Sequence, residues 1–398
     1  MTLPDRLGGW KVKRFNKLGG NLAGPSGAVK SDGHLTRFNR HRKTATEERG
    51  QVAVGMKAVA VKAGVSLATV SNVLNHPDIV APATRRRVQR AIDALGFVRN
   101  ESARQLRAGR SRFIGLLMLD IGNPFFTDVA LGAEQAAEEA GYAVVLCDSR
   151  QDLEREGRYL ALLEEQRVEG ILLSPVDISG TRLDQIRRRG TPVVLVDRRS
   201  RSRGECFVAV DDVLGGDIAV SHLLDGGHQR LAFVGGSFDI RQVQDRYDGA
   251  VAALIRAGRR QDELAVITTA LLTLECGQQA GRQIADLPRT RRPTAAFCAN
   301  DLLALGLLQE MTRRGVRVPQ DLAIVGYDDI AFAAGAAVPL SSVRQPRAEL
   351  GRTAAQLLLE EARAPEQHRH RRVVFKPELV VRASSARAVS GHWKNAAS

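Results

Sequence analysis

Cysteine is scarce. Cys147, Cys206, Cys276 and Cys298 are the only four in 398 residues, far apart and without metal-type spacing. They read as small buried hydrophobes of a reducing compartment rather than as a disulfide or zinc framework. Long apolar runs are missing as well: none approaches the roughly 20 residues that span a bilayer. The N-terminus has scattered basic residues and glycines but no apolar signal core, so a cytoplasmic protein is expected. Both tryptophans, Trp10 and Trp393, fall in the terminal tails, which leaves the expected folded body with none. Lysine is rare, 9 against 49 arginines, a bias that genomic base composition would explain and that carries no functional reading. No GxSxG elbow, P-loop or HExxH motif occurs, which removes the usual signatures of hydrolases, NTPases and zinc proteases. No metal or cofactor is expected.

What is present is charge, unevenly placed. The formal net charge is +14, and residues 1–112 hold 22 Lys and Arg against 7 Asp and Glu. The remaining residues hold 36 against 37 and are nearly neutral. A basic segment on a neutral body is the electrostatic footprint of phosphate-backbone binding. For residues 1–54 a solvated, disordered extension is the simpler reading, given their polar, Gly-rich composition; an upstream start codon would also account for it. Residues 384–398 read as a similar short tail.

From Phe113 onward, short apolar runs alternate with amphipathic segments. The runs are FIGLLMLD (113–120), YAVVLCDS (142–149), GILLSPV (170–176), PVVLVDR (192–198), RLAFVGG (230–236), AAFCAND (295–301) and LAIVGYDD (322–329). Helical patterns cover 126–140, 152–167, 213–225, 242–257, 301–315 and 347–363. This is the rhythm of βα units building parallel sheets covered on both faces. Several runs end in Asp120, Asp148, Asp197, Asn300–Asp301 or Asp328–Asp329. Ligands of open α/β sheets bind beyond the carboxyl ends of the strands. The same acids also suit helix capping, and both readings stay open.

Residues 56–75, MKAVAVKAGVSLATVSNVLN, read as a helix-turn-helix. Val59, Ala60, Ala63, Val65, Val70 and Val73 form an apolar seam between two short helices, with Gly64 at a turn that favours positive φ. Ser66 is placed to cap the second helix. Leu67, Ala68 and Asn72 point outward from its N-terminal part. Asn72 can present an amide to a base edge, and Leu67 and Ala68 an apolar surface to a thymine methyl. Thr69, Ser71 and Thr84 suit phosphate contacts. A third helix is expected over about 82–95, opened by Pro82 and closed by Gly96.

Together AGVSLATVSNVLN, GFVRNESARQLRAG and the βα body resemble the lactose-repressor (LacI/GalR) family of bacterial transcription regulators, over roughly residues 55–383. The resemblance implies a small all-α helix-turn-helix headpiece (55–99), a hinge helix or linker (100–111) and an α/β two-lobed periplasmic-binding-protein-like domain (112–383) that binds an effector and dimerises. It implies a homodimer on a near-palindromic double-stranded DNA operator, controlled by a small polar effector such as a sugar or related metabolite. Asn100 would cap the hinge helix, and Leu106 would wedge into the minor groove. The effector cleft would use Asn123, Phe125, Phe126, Asp197, Arg246, Asn300, Asp301 and Asp328. The lobes would be about 112–210 plus 344–366, and 211–341 plus the C-terminal strands to 383.

Three departures from the family pattern stand out. Gly55 and Ala58 replace a Ser/Thr–acid capping box, and Ala81 replaces a cap before the third helix. Leu272 stands where many sugar-responsive members carry an aromatic. His222 and His228 read as structural. Two other functions compete, a sugar-binding transport protein and an α/β enzyme on a small polar substrate. The first lacks a signal peptide and leaves the basic headpiece unexplained; the second lacks a placed nucleophile.

Overall fold

The computed structural model describes residues 55–97, 111–176, 181–200, 202 and 204–386. The expectations for the basic extension, for Asn100 and Leu106 and for the last residues of the tail lie outside these. The chain divides into two compact units, Met1–Val98 and Arg99–Ser398.

The first unit contains α1 (Met56–Ala63), α2 (Leu67–Asn75), a 3-10 turn (Pro77–Ile79) and α3 (Pro82–Leu95). The expected third helix is found at its expected bounds. Gly64 ends α1 at φ 60°, ψ 42°, and the chain bends by 105° into α2. Val59, Ala60, Ala63, Val70 and Val73 meet Val88, Ala91 and Phe97 in one small core. Ser66 Oγ accepts a hydrogen bond from Thr69 N at 3.0 Å and caps α2. No side chain caps α1 at Gly55 or α3 at Ala81. No single helix among the described residues is long and apolar enough to cross a membrane.

The second unit has two six-stranded sheets. The first contains β1 (Phe113–Met118), β2 (Ala143–Asp148), β3 (Ile171–Leu173), β4 (Val193–Val196), β5 (Phe207–Val210) and β11 (Arg372–Phe375), in the order β11-β5-β4-β3-β1-β2. The second contains β6 (Leu231–Gly235), β7 (Leu264–Thr268), β8 (Ala295–Cys298), β9 (Ala323–Asp328), β10 (Ser341–Arg344) and β12 (Glu378–Val380), in the order β12-β10-β9-β8-β6-β7. All pairings are parallel except β10 with β12. Side chains of β1 alternate between two apolar layers. Ile114, Leu116 and Met118 enter one, and Leu117 enters the other with Leu160, Leu163 and Ile171. Burial on both faces is why these strands read as unbroken apolar runs.

The helices are α4 (Pro124–Glu139), α5 (Leu153–Glu165), α6 (Thr181–Arg188), α7 (Asp212–Asp225), α8 (Arg241–Arg256), α9 (Leu274–Asp286), α10 (Asp301–Arg313), α11 (Ala331–Gly335) and α12 (Arg347–Arg363). Three helix pairs approach backbone to backbone through reciprocal glycines: Gly132 and Gly351 in α4 and α12, Gly216 and Gly249 in α7 and α8, Gly277 and Gly306 in α9 and α10. A Cβ at Gly132 would stand 1.9 Å from Ala348 O, so no other residue fits there without moving a helix.

The expected lobe boundary needs one correction. The C-terminal strands do not both join the second lobe: β11 pairs with β5 in the first sheet, and only β12 pairs with β10 in the second. The chain therefore crosses between lobes after β5, after β10 and after β11. Sheet edges attract any strand with the right register, and the run RVVF carries no local mark of which sheet it completes.

Candidate functional site

In the first unit, α2 presents its reading face. Leu67 is 50% exposed, and Ala68 and Asn72 are exposed. Thr69 and Ser71 are more occupied than expected. Thr69 Oγ1 lies 2.9 Å from Ser66 Oγ, and Ser71 accepts from Asn75 Nδ2 at both its carbonyl (2.9 Å) and its hydroxyl (3.2 Å). Thr84 is half-buried in the first turn of α3.

In the second unit, the cleft opens beyond the carboxyl ends of both sheets, at β1 and β6, where each strand order reverses. Its inner space is about 40 Å³, lined from one lobe by Leu119, Asp120, Asn123, Phe125, Phe126, Gln151 and Asp197. The other lobe contributes Ile240, Gln242, Val243, Arg246, Leu272, Asn300 and Asp328. It continues into a mouth of about 710 Å³ between Arg150–Leu153 and Pro175–Val176 on one side and Ser237–Gln242 and Ala270–Leu271 on the other. Small-molecule sites usually occupy roughly 300–1,000 Å³. The inner space is far smaller, so a ligand reaches it only if the lobes part or the lining side chains swing.

Arg246, on α8, is the electrostatic centre. Its Nε donates to Asp212 Oδ1 at 2.8 Å and its Nη1 to Ala299 O at 2.7 Å. Its guanidinium lies 3.7 Å from the Tyr327 ring centroid, and Nη1 is 4.0 Å from Asp328 Oδ1. Only Nη2 makes no hydrogen bond within the described residues, which leaves one donor group for a ligand. Nε and Nη1 are thus engaged in a buried structural pairing, and Nη2 is the terminal nitrogen left over.

Asp197 and Asp328 are the cleft acceptors. Both are held at positive φ, 55° and 104°, a costly conformation for a non-glycine residue that clusters at functional sites. Asp197 Oδ2 accepts from Gln242 Nε2 at 3.1 Å, while Oδ1 is buried without a partner, as is Gln242 Oε1. Burial, reinforced by Asp212, pushes the Asp197 carboxyl well above its ordinary range. Asp328 accepts from Gln345 Nε2 at 2.7 Å and from Asn123 Nδ2 at 3.3 Å. Burial raises its pKa to about 6 against the opposing pull of Arg246. Arg347 ties the strained turn to the first lobe by donating to the carbonyls of Asp328 and Asp329 and to Asp128 Oδ2 at 2.7 Å.

The remaining strand-end acids sort into local roles. Asp120 and Asp148 accept from the N–H groups of Gly122 and Arg150. Asn300 lines the cleft, but its amide is committed. Oδ1 caps α10 at Leu303 N (2.9 Å), and Nδ2 donates to Leu272 O (3.0 Å). Asp301, expected in the cleft, does not line it. It is fully buried, accepting from Ser342 Oγ at 2.6 Å and Ile330 N at 2.8 Å. The reason is helical geometry: one step past the cap turns Asp301 away from the strand ends and into the second sheet. Phe125 and Phe126 line the cleft with rings 5.0 Å apart and also belong to the core. His222 and His228 bond Ser385 Oγ and Thr294 Oγ1, and burial lowers both pKa values.

Asp212, Gln242, Tyr327, Gln345 and Arg347 are absent from the sequence-based set. The run FVAVDD has the same form as the other strand-end signals and marks Asp212. Gln345 and Arg347 follow a strand, SSVR, too polar to stand out.

An outward-reading helix-turn-helix joined in one chain to a two-lobed α/β unit closing on a polar cleft defines a ligand-responsive DNA-binding regulator. Residues 55–100 match the model for bacterial regulatory proteins of the lacI family, and residues 220–385 match the periplasmic-binding-protein-like domain. The chain is 34% identical over 331 residues to the HTH-type transcriptional repressor PurR of Photobacterium profundum, covering 83% of this chain and 98% of that one. A transcriptional regulator CelR–cellobiose complex superposes with a TM-score of 0.62 at 31% identity, covering 83% of this chain and 99% of the other. The lac repressor dimer bound to operator and an anti-inducer gives a TM-score of 0.73 at 26% identity, covering 83% and 99%. The chain belongs to the lacI family, with a helix-turn-helix DNA-binding domain and an effector-binding domain of periplasmic-binding-protein type.

Proposed function

We propose that this protein is a cytoplasmic homodimeric repressor that reads a near-palindromic operator through Leu67, Ala68 and Asn72. A small polar effector in the cleft sets its operator affinity. The observation that carries the effector reading is Asp197 Oδ1, a buried acceptor without a partner at a strand end. An unmet buried acceptor costs about 1–3 kcal/mol, which a ligand hydroxyl or N–H would recover. Arg246 Nη2 supplies the complementary donor. Phe125, Phe126, Ile240 and Leu272 supply apolar cover suited to one face of a compact ring. Hydroxyl-rich sugars and related metabolites fit this set, and the relatives named PurR and CelR–cellobiose set the range of ligands worth screening.

Binding rather than catalysis is the reading the lining supports. Among the described residues lining the inner cleft there is no serine, threonine, cysteine, histidine, lysine or tyrosine. Two strained carboxylates held by amides can accept donors, but no nucleophile stands opposite them.

The test is a thermal-shift screen of sugars, nucleosides and sugar phosphates, followed by operator binding with and without each hit. A ligand at 100-fold its Kd stabilises the body by roughly 2.7 kcal/mol. Asp197→Asn is expected to reduce that shift. A hit that shifts the wild type and Asp197→Asn equally, or leaves operator affinity unchanged, would overturn the cleft assignment.

A further inference from the structure

Far from the cleft, at the opposite ends of the first-sheet strands, four side chains converge. Cys206 immediately precedes β5, His368 and His370 lie in the connection entering β11, and Glu361 is in the last turn of α12. The parallel register that sets Arg372 beside Phe207 brings His370 to Cys206, although 164 residues separate them. Cys206 Sγ lies 3.1 Å from His368 Nε2 and 3.7 Å from His370 Nδ1. Glu361 Oε2 lies 3.8 Å and 3.9 Å from the same two nitrogens. All four donor atoms fall within 4.8 Å of one another.

We propose that Cys206, Glu361, His368 and His370 form a structural binding site for a zinc-like divalent transition-metal ion. Tetrahedral zinc with ordinary Zn–S, Zn–N and Zn–O bonds places its ligand atoms about 3.3–3.6 Å apart. The four sulfur–nitrogen and oxygen–nitrogen spacings, 3.1–3.9 Å, need changes of only a few tenths of an ångström. A thiolate, two imidazoles and a carboxylate suit a borderline-soft cation and disfavour calcium or magnesium. With four protein ligands the site is closed in the manner of structural zinc rather than open in that of catalytic zinc.

Two further observations point to an ion. Glu361 Oε2 is buried and accepts no hydrogen bond from the described residues. A carboxylate oxygen left unmet beside two imidazoles is a costly arrangement that a cation would satisfy. The backbone N–H of Arg371 donates to Cys206 Sγ at 3.2 Å, the outer-sphere contact that stabilises a thiolate. The Cys206 side chain is fully covered, while His370 remains 32% exposed and offers a path of entry. Bound metal would fasten the end of α12, the start of β5 and the connection into β11. That connection leads directly into the RVVF strand, which pairs with β5.

The experiment uses untagged full-length protein, stripped by a chelator, reloaded with Zn2+ and dialysed. It is expected to retain one Zn2+ per chain and to melt at a higher temperature when loaded. With Co2+ it should show visible bands of a tetrahedral site together with a near-ultraviolet sulfur-to-cobalt charge-transfer band. Cys206→Ser should lose that charge-transfer band. His370→Gln, at a partly exposed position, should weaken Zn2+ by more than the roughly 10–100-fold lost with an outer-sphere partner. If Cys206→Ser fails to fold, His370→Gln and His368→Gln decide the matter. Absence of stoichiometric uptake, a wild-type cobalt spectrum without the charge-transfer band, or unchanged Zn2+ affinity in the histidine variants would overturn the site.

Discussion

Asn123 and Asp328 join the two lobes across the cleft, Nδ2 of the first donating to Oδ2 of the second at 3.3 Å. The same Asn123 caps α4 by accepting from Phe125 N at 3.0 Å. One side chain thus fixes the start of a cleft helix and holds the lobes closed. The two duties are separable. Asn123→Ser keeps a capping oxygen but cannot reach Asp328, whereas Asn123→Ala loses both. Urea unfolding should show Asn123→Ala less stable than Asn123→Ser by about 1 kcal/mol for the cap, with both below wild type for the lost contact to Asp328. Both should bind a closure-dependent effector more weakly, since a hydrogen bond to a charged group contributes about 1.5–3 kcal/mol. Equal effector affinity in wild type and Asn123→Ser would show that this contact does not govern closure.

Arg246→Ala should destabilise the body as well as silence the effector response. Removing one member of a buried charge pair costs about 3–5 kcal/mol, because Asp212 and Asp328 lose the buried cation beside them. The pH dependence has a definite sign. Asp328 has a folded pKa raised to about 6 from 3.8, so its destabilising share is present above the raised value and is relieved as pH falls toward the ordinary one. Without Arg246 that share grows. The stability gap between wild type and variant should be wider at about pH 8 than at about pH 5. Denaturant melts at the two pH values measure it, and a gap independent of pH would argue against the charge account.

Asp301→Ala should act on stability and not on ligand recognition. It strands two buried donors, Ser342 Oγ and Ile330 N, each costing about 1–3 kcal/mol. A large drop in melting temperature with unchanged effector affinity in the folded fraction is the expected pair of results. Loss of affinity at constant stability would return Asp301 to the cleft.

Asn72→Ala should narrow the difference between operator and random DNA by about 1–3 kcal/mol while leaving nonspecific affinity nearly intact. Asn72 is the polar member of the exposed reading face, and its backbone carbonyl, which accepts from His76 N at 2.7 Å, survives the truncation. Binding isotherms on both DNAs at one salt concentration separate this from an equal loss on each, which would mark a structural role.

Ala81→Ser should stabilise α3 by about 1 kcal/mol, since Ala81 occupies an N-cap with no side-chain bond ahead of Pro82. Slower amide exchange across residues 82–95 in the full-length protein is the expected readout.

The headpiece was legible in the chain almost completely. A helix-turn-helix is built from contacts a few residues apart, so the Val59–Val73 seam, the Gly64 turn, the Ser66 cap and the bounds of α3 are all written locally. The alternation of buried strands with amphipathic helices likewise marked the two-lobed body, and the strand-end acids marked one side of it. What those acids do depends on the folded chain. Asp197 and Asp328 face the cleft, Asn300 caps, and Asp301 turns inward, because one step along a helix swings a side chain to a different face. Long-range pairing alone placed β11 in the first sheet, and with it gathered Cys206, Glu361, His368 and His370. Cysteine spacing in the chain carries no trace of that cluster, since its members become neighbours only when two distant strands share a sheet edge.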